Sequence, residues 1–165
     1  MVGSDHVRAP GDDCAVKVGP SMVPCPRGVD PGMGLFAVGV FEDGDAITDY
    51  AGDLLSTDQA KAMSVQTHMA TLPKIGLLTV DGLRQPVIGK GGGSFANGVT
   101  PFMMTRGCLA NAALDNDPDL ILYLRATRRI EDGEEILWKY GNKRAVEVAM
   151  GGRRLRSIAG DRPLK

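Results

Sequence analysis

The sequence predicts a mostly β fold with few short helices, on three observations. Glycine fills 22 of 165 positions, well above its ordinary share. The apolar runs are short and bounded by Gly, Pro, Asn and Asp, as strands and tight turns require. Only one long segment carries helix chemistry. A chain of this length fits one domain with a substantial core.

Taken in order, residues 1–13 are polar and acidic and are expected to be disordered. AVKVG, residues 15–19, predicts a first strand, followed by a Pro/Gly loop, PSMVPCPRGVDPGMG. LFAVGVF and DAITDYAG, joined by EDGD, predict a β-hairpin. STDQAKAMSVQTHMA, residues 56–70, is the helix candidate: Ser56 or Thr57 can cap it, and Ala60, Met63 and Ala70 are among its apolar positions. GLLTV and PVIG predict two short strands around DGLRQ. GKGGGSFANG is a glycine loop, and TPFMMTRGCLANAALDNDPDL reads as irregular, with turn chemistry at DNDPD. LILYLRATRRI is a strong strand candidate, EDGEE a turn and ILWKYG a short strand. AVEVAM predicts a last helical turn, and GGRRLRSIAGDRPLK a loose tail.

Composition removes several classes. No apolar stretch approaches the ~20 residues of a membrane helix. The N-terminus lacks the basic start and apolar core of a secretory signal, so an intracellular protein is expected. Cys14, Cys25 and Cys108 are an odd, scattered trio with no CxxC pair. They read as reduced structural thiols, neither a disulfide framework nor a zinc site. The glycine loop is no phosphate loop, because Lys90 is followed by Gly91 instead of Ser or Thr. No GxSxG elbow is present.

Charge is unevenly placed. Residues 1–138 carry 11 basic and 18 acidic side chains, or −7, and residues 139–165 carry 8 and 2, or +6. An acidic body attracts a basic partner and repels bare nucleic acid. A solvated acidic surface with a basic tail accounts for the same numbers.

Two segments carry the functional reading: GMGLFAVGVFEDGDAITDYAGDLLS, residues 32–56, and LRATRRIEDGEEILWKYG, residues 124–141. They resemble the opening and closing segments of the SET-domain protein-lysine methyltransferases. That family opens with G-x-G, an apolar-aromatic-Ala step, a glycine turn and an E/D-Y-x-G strand. It closes with A-x-R-x-I, a G-E-E-[IL] turn and an aromatic-x-Y. The resemblance covers about residues 14–148, which leaves 149–165 as a basic C-terminal tail. It implies several small curved sheets around a knot-like chain crossing, with S-adenosylmethionine as cofactor. It also implies a basic protein substrate, with a histone tail leading and a ribosomal or translation protein as the alternative. Location would be nuclear for a histone substrate and cytoplasmic otherwise. No metal, nucleic acid or membrane is implied.

The resemblance also assigns residues. Gly32, Met33 and Gly34 form the turn that lies against the cofactor and offers backbone hydrogen bonds; glycine permits that close approach. Tyr50 lines the lysine channel, its ring sheathing the stem and its hydroxyl reaching the amine. The family has an R-F-x-N-H-S-C-x-P-N signature, which SFANG, residues 94–98, matches in part, with Gly98 in place of His. CLAN, residues 108–111, matches C-x-P-N after an insertion of about ten residues. That alignment makes Asn97 and Asn111 cofactor residues; an ungapped one would use Thr105 and Arg106. His68 falls near a family tyrosine that packs on the cofactor. Tyr140 is the residue at the methyl-transfer centre. Trp138 shares its strand face, since i and i+2 point the same way. The family usually has Phe or Tyr there, which sets methyl number; a plain core tryptophan is the other reading. The missing His and the Trp also fit a SET-like module that binds a peptide without methylating it. No cysteine follows Cys108, so the zinc segment of many relatives is absent and something else must close the channel.

Overall fold

In a computed structural model of the chain, residues 15–85, 87 and 90–139 are described. Ten strands, two short α-helices and one 3-10 turn occur among them, so the architecture is mostly β. They form three small sheets. β1 (Val16–Pro20) pairs antiparallel with β2 (Met33–Ala37). β4 (Gly52–Ser56), β6 (Leu78–Gly82) and β5 (Met69–Thr71) form a second sheet in that order. The third has the order β3 (Ala46–Asp49), β9 (Leu122–Ala126), β8 (Ala112–Asn116), β10 (Leu137–Trp138), β7 (Asn97–Gly98). β10 runs parallel to both β7 and β8. The late strand is thereby inserted between two earlier segments of chain.

The core joins the sheets. Val16, Leu35, Leu122, Leu124, Ile130 and Ile136 are almost fully buried, and Tyr50 and Trp138 belong to the same cluster. A smaller cluster of Val99, Met103 and Leu137 lies beside it.

Several strands fall where the patterning predicts, but the predicted hairpin does not form. The turn exists: Asp45 N–H donates to the Glu42 carbonyl, and Gly44 has φ 96°. Its flanks go to different sheets, β2 to β1 and β3 to β9. Phe41 instead exchanges backbone hydrogen bonds with Ile130. Alternating apolarity marks a strand but not its partner.

The helix of residues 56–70 is also shorter than expected. α1 spans Thr57–Ala62, opened by a capping box in which Ser56 and Gln59 bond each other's backbone N–H. Ala60 is its one buried residue, so no apolar stripe holds a longer helix against the core. Residues 69–71 pair with β6 instead.

Conversely, the segment read as irregular holds β8 and a helix, α2 (Pro101–Thr105). Thr100 Oγ1 accepts from Met103 N–H, and Pro101 occupies the first turn. A Thr-Pro start was the available signal. Of PVIG, only Val87 is described, and it is not in a strand. The 1–13 segment, the AVEVAM turn and the basic tail lie outside the described residues.

Candidate functional site

The first cluster grows from the loop between β1 and β2. Gly32 has φ 71°, a conformation that favours glycine, and its N–H donates to Asp30 Oδ1. Gly34 is confined for a different reason: a Cβ there would overlap the Glu135 carboxylate, which would have to move. Met33 turns its side chain outward, 51% exposed, while its carbonyl accepts from Asn97 Nδ2 at 3.0 Å. The same nitrogen donates to Ser21 Oγ at 3.1 Å and Glu135 Oε1 at 3.2 Å. Asn97 is carried in by β7, whose register sets it against Leu137 of β10. Gly32, Met33, Gly34 and Asn97 are thus brought together across 65 residues of sequence.

The second cluster forms around Tyr50, which follows β3. Its ring is buried, and its hydroxyl donates to the His68 carbonyl at 2.9 Å. Trp138 meets it edge-on, with centroids 6.5 Å apart and planes at 76°. The indole N–H donates to the Ala96 carbonyl at 3.2 Å. Ala96 adjoins Asn97, so the two clusters meet there. Gly82 closes the packing: a Cβ would come within 2.7 Å of the Tyr50 ring and 2.8 Å of Ser94 Cβ.

His68 joins this second cluster through its backbone. Its imidazole Nδ1 lies 2.8 Å from Thr67 Oγ1, and it precedes β5 instead of ending a helix. Burial lowers its pKa, Arg84 adds to the effect, and Asp81 opposes it. Burial and Arg84 both favour the neutral ring.

Asn111 sits deeper, 1% exposed. Its Nδ2 donates to the Glu135 carbonyl at 2.9 Å, and its Oδ1 accepts from Leu137 N–H at 2.8 Å. Both ends of the amide hold β10 in place between its neighbours. The ten-residue insertion that separates Asn97 from Asn111 contains α2, and the alternative pair, Thr105 and Arg106, is exposed there. Tyr140 lies outside the described residues, two positions beyond the end of β10.

Sequence reasoning passed over Glu135 and Ser21. Ser21 Oγ donates to Glu135 Oε1 at 2.7 Å, and Met22 N–H to Oε2 at 2.9 Å. The paired acids of the G-E-E turn were the visible signal, but they do different things. Burial pushes the Glu134 carboxyl up, yet hydrogen bonds from Arg128, the Glu131 backbone and Asn111 outweigh it and hold the group below its ordinary pKa. Among the described residues no group of three or more His, Cys, Asp or Glu is placed to hold a metal, and no helix is long and apolar enough to cross a membrane.

The burial of Trp138 yields a stability prediction. Trp138→Phe removes the N–H bond to Ala96 and part of a buried ring, an expected loss of about 1–3 kcal/mol. Chemical denaturation checks it. Unchanged stability, together with more highly methylated product, would place the ring in the substrate channel instead.

A family profile described as SET domain matches residues 32–141, more than half of the chain. No curated protein matches significantly. Among solved structures, an active polycomb repressive complex 2 in the stimulated state is similar at TM-score 0.56 and 22% identity. An active polycomb repressive complex 2 in the basal state gives 0.56 at 23%. The Chaetomium thermophilum polycomb repressive complex 2 gives 0.54 at 22%. Each alignment covers 78% of this chain and 15% of the other, so the chain spans a small part of those proteins. At these identities the likeness is one of fold.

Proposed function

Because this chain belongs to the SET-domain family, we propose that it is a protein-lysine N-methyltransferase that uses S-adenosylmethionine. The observation that carries the reading is the meeting of the Gly32–Gly34 turn with Asn97, beside the buried Tyr50–Trp138 pair. Asn97 Nδ2 is fully engaged, whereas its Oδ1 has no hydrogen bond among the described residues. An open acceptor beside a glycine turn fits a ligand that carries N–H donors.

When bound, S-adenosylmethionine would supply an activated methyl group for a neutral lysine nitrogen. Gly32, Met33, Gly34 and Asn97 would hold it, with His68 and Asn111 as further assigned contacts. The protein's part is alignment and exclusion of water. The family resemblance assigns Tyr50 and Trp138 to the wall of a lysine channel; in a dry channel an ammonium would be disfavoured, so the lysine would give up its proton more readily. Tyr140 positions the amine through its hydroxyl. No acid/base dyad is needed.

The acidic body, −7 over residues 1–138, supports a basic peptide substrate, and a histone tail is the leading one. Polycomb repressive complex 2 structures are among those similar in fold. A second reading, a peptide-binding module without transfer, has Gly98 in place of the family's His in its favour.

Cofactor binding separates the two. Saturating S-adenosylmethionine is expected to raise the melting temperature, since a ligand at about 100 times its Kd stabilises by roughly 2.7 kcal/mol. Methyl transfer to histones and to whole lysate, read by mass spectrometry, then identifies the substrate. No melting shift and no calorimetric signal would remove the enzymatic reading.

A further inference from the structure

Glu135 lies beside two of the proposed cofactor residues: through one carboxylate it covers Gly34 and accepts from Asn97. Its backbone bridges Phe36 of β2, and its side chain covers Gly34. Oε1 accepts from Ser21 Oγ at 2.7 Å and Asn97 Nδ2 at 3.2 Å, and Oε2 from Met22 N–H at 2.9 Å. Ser21 is buried, and its one hydroxyl hydrogen is committed to Glu135. Toward Asn97 its oxygen can therefore only accept.

We propose that Glu135 is a positioning residue: with Ser21 it sets the orientation of the Asn97 amide, and so decides that this site accepts a cationic hydrogen-bond donor. An asparagine amide can be turned by half a revolution with little change in shape. Here its nitrogen faces three acceptors, the Met33 carbonyl, Ser21 Oγ and the Glu135 carboxylate. Turning it over would set Oδ1 against those oxygens, one of them charged, and leave all three without that donor. The carboxylate thus locks Oδ1 on the opposite edge of the amide. The ammonium of the cofactor's amino-acid end is the donor of matching charge. This rests on the cofactor reading of Asn97 given above.

Glutamine at position 135 is nearly the same shape but cannot do the same work. With its oxygen toward Asn97, its NH2 faces Met22 N–H; with its oxygen toward Met22, its NH2 faces that of Asn97 and invites the amide to turn over.

The test is calorimetric binding of S-adenosylmethionine and of its analogue lacking the amino group, to wild type and Glu135→Gln, with melting curves alongside. Wild type is expected to prefer the natural compound by about tenfold or more, the scale of one charge-assisted hydrogen bond. Glu135→Gln is expected to fold and to lose most of that preference. Equal weakening of both compounds in the variant would mean that Glu135 only supports the fold, and would overturn the proposal. Should the variant not fold, Ser21→Ala serves: a severalfold narrower preference supports the proposal, and an unchanged one overturns it. A wild type that binds neither compound would remove the cofactor reading itself, and this inference with it. Binding with no wild-type preference would overturn the orientation argument alone.

Discussion

Tyr140→Phe is expected to lower methyl transfer by about 100-fold or more while leaving S-adenosylmethionine affinity within a few-fold of wild type, as for loss of a contact made mainly in the transition state. The assignment comes from the Ile-Leu-Trp-Lys-Tyr run after the Gly-Glu-Glu turn. Tyr140 itself lies outside the described residues, and the strand before it is well held. β10 is pinned on both sides, by Val99 N–H to the Trp138 carbonyl at 2.8 Å and by Asn111 N–H to the Leu137 carbonyl at 2.9 Å. The hydroxyl is one atom, so Phe should fold normally, and rapid-mix kinetics with calorimetry separate turnover from binding. Wild-type turnover by the variant would remove Tyr140 from the reaction.

Asn111→Ala is expected to cost about 2–6 kcal/mol of stability, because it strands one buried and one part-buried backbone group at about 1–3 kcal/mol each. Those groups are the Leu137 N–H and the Glu135 carbonyl, held at 2.8 and 2.9 Å. No water can readily replace the side chain at a site 1% exposed. The loss should fall on β10 and so on everything that strand positions. Urea unfolding, monitored by Trp138 fluorescence, checks it. A variant as stable as wild type that had lost cofactor affinity would move Asn111 from the fold to the ligand.

The two predictions differ in how legible their residues were. Tyr140 was assigned by local pattern alone. Asn111 was found by spacing, as an asparagine after CLA, and was assigned to the cofactor; the structure shows its amide tied to the inserted strand. Glu135 shows the gap most clearly. Its neighbour Glu134 pairs outward with Arg128, while Glu135 turns inward to Ser21 and Asn97. Two adjacent acids look alike in sequence, and only the tertiary contacts, among them the isolated bridge of Glu135 to Phe36, separate them.

What the sequence by itself determined is what lies within a few residues: the glycine turns, the short apolar runs of β1, β2, β6 and β9, the capped start of α1, and the ordered motifs that mark the family. Each is set by backbone freedom, side-chain period or capping chemistry, all of which act locally. Only the tertiary structure decided the pairing: β2 with β1 instead of β3, β3 with β9 across more than 70 residues, and β10 between β7 and β8. A strand's unpaired N–H and C=O groups look the same whichever strand arrives. The choice falls to burial summed over the whole core, and that same choice carries Asn97 to the Gly32–Gly34 turn and Trp138 to Tyr50.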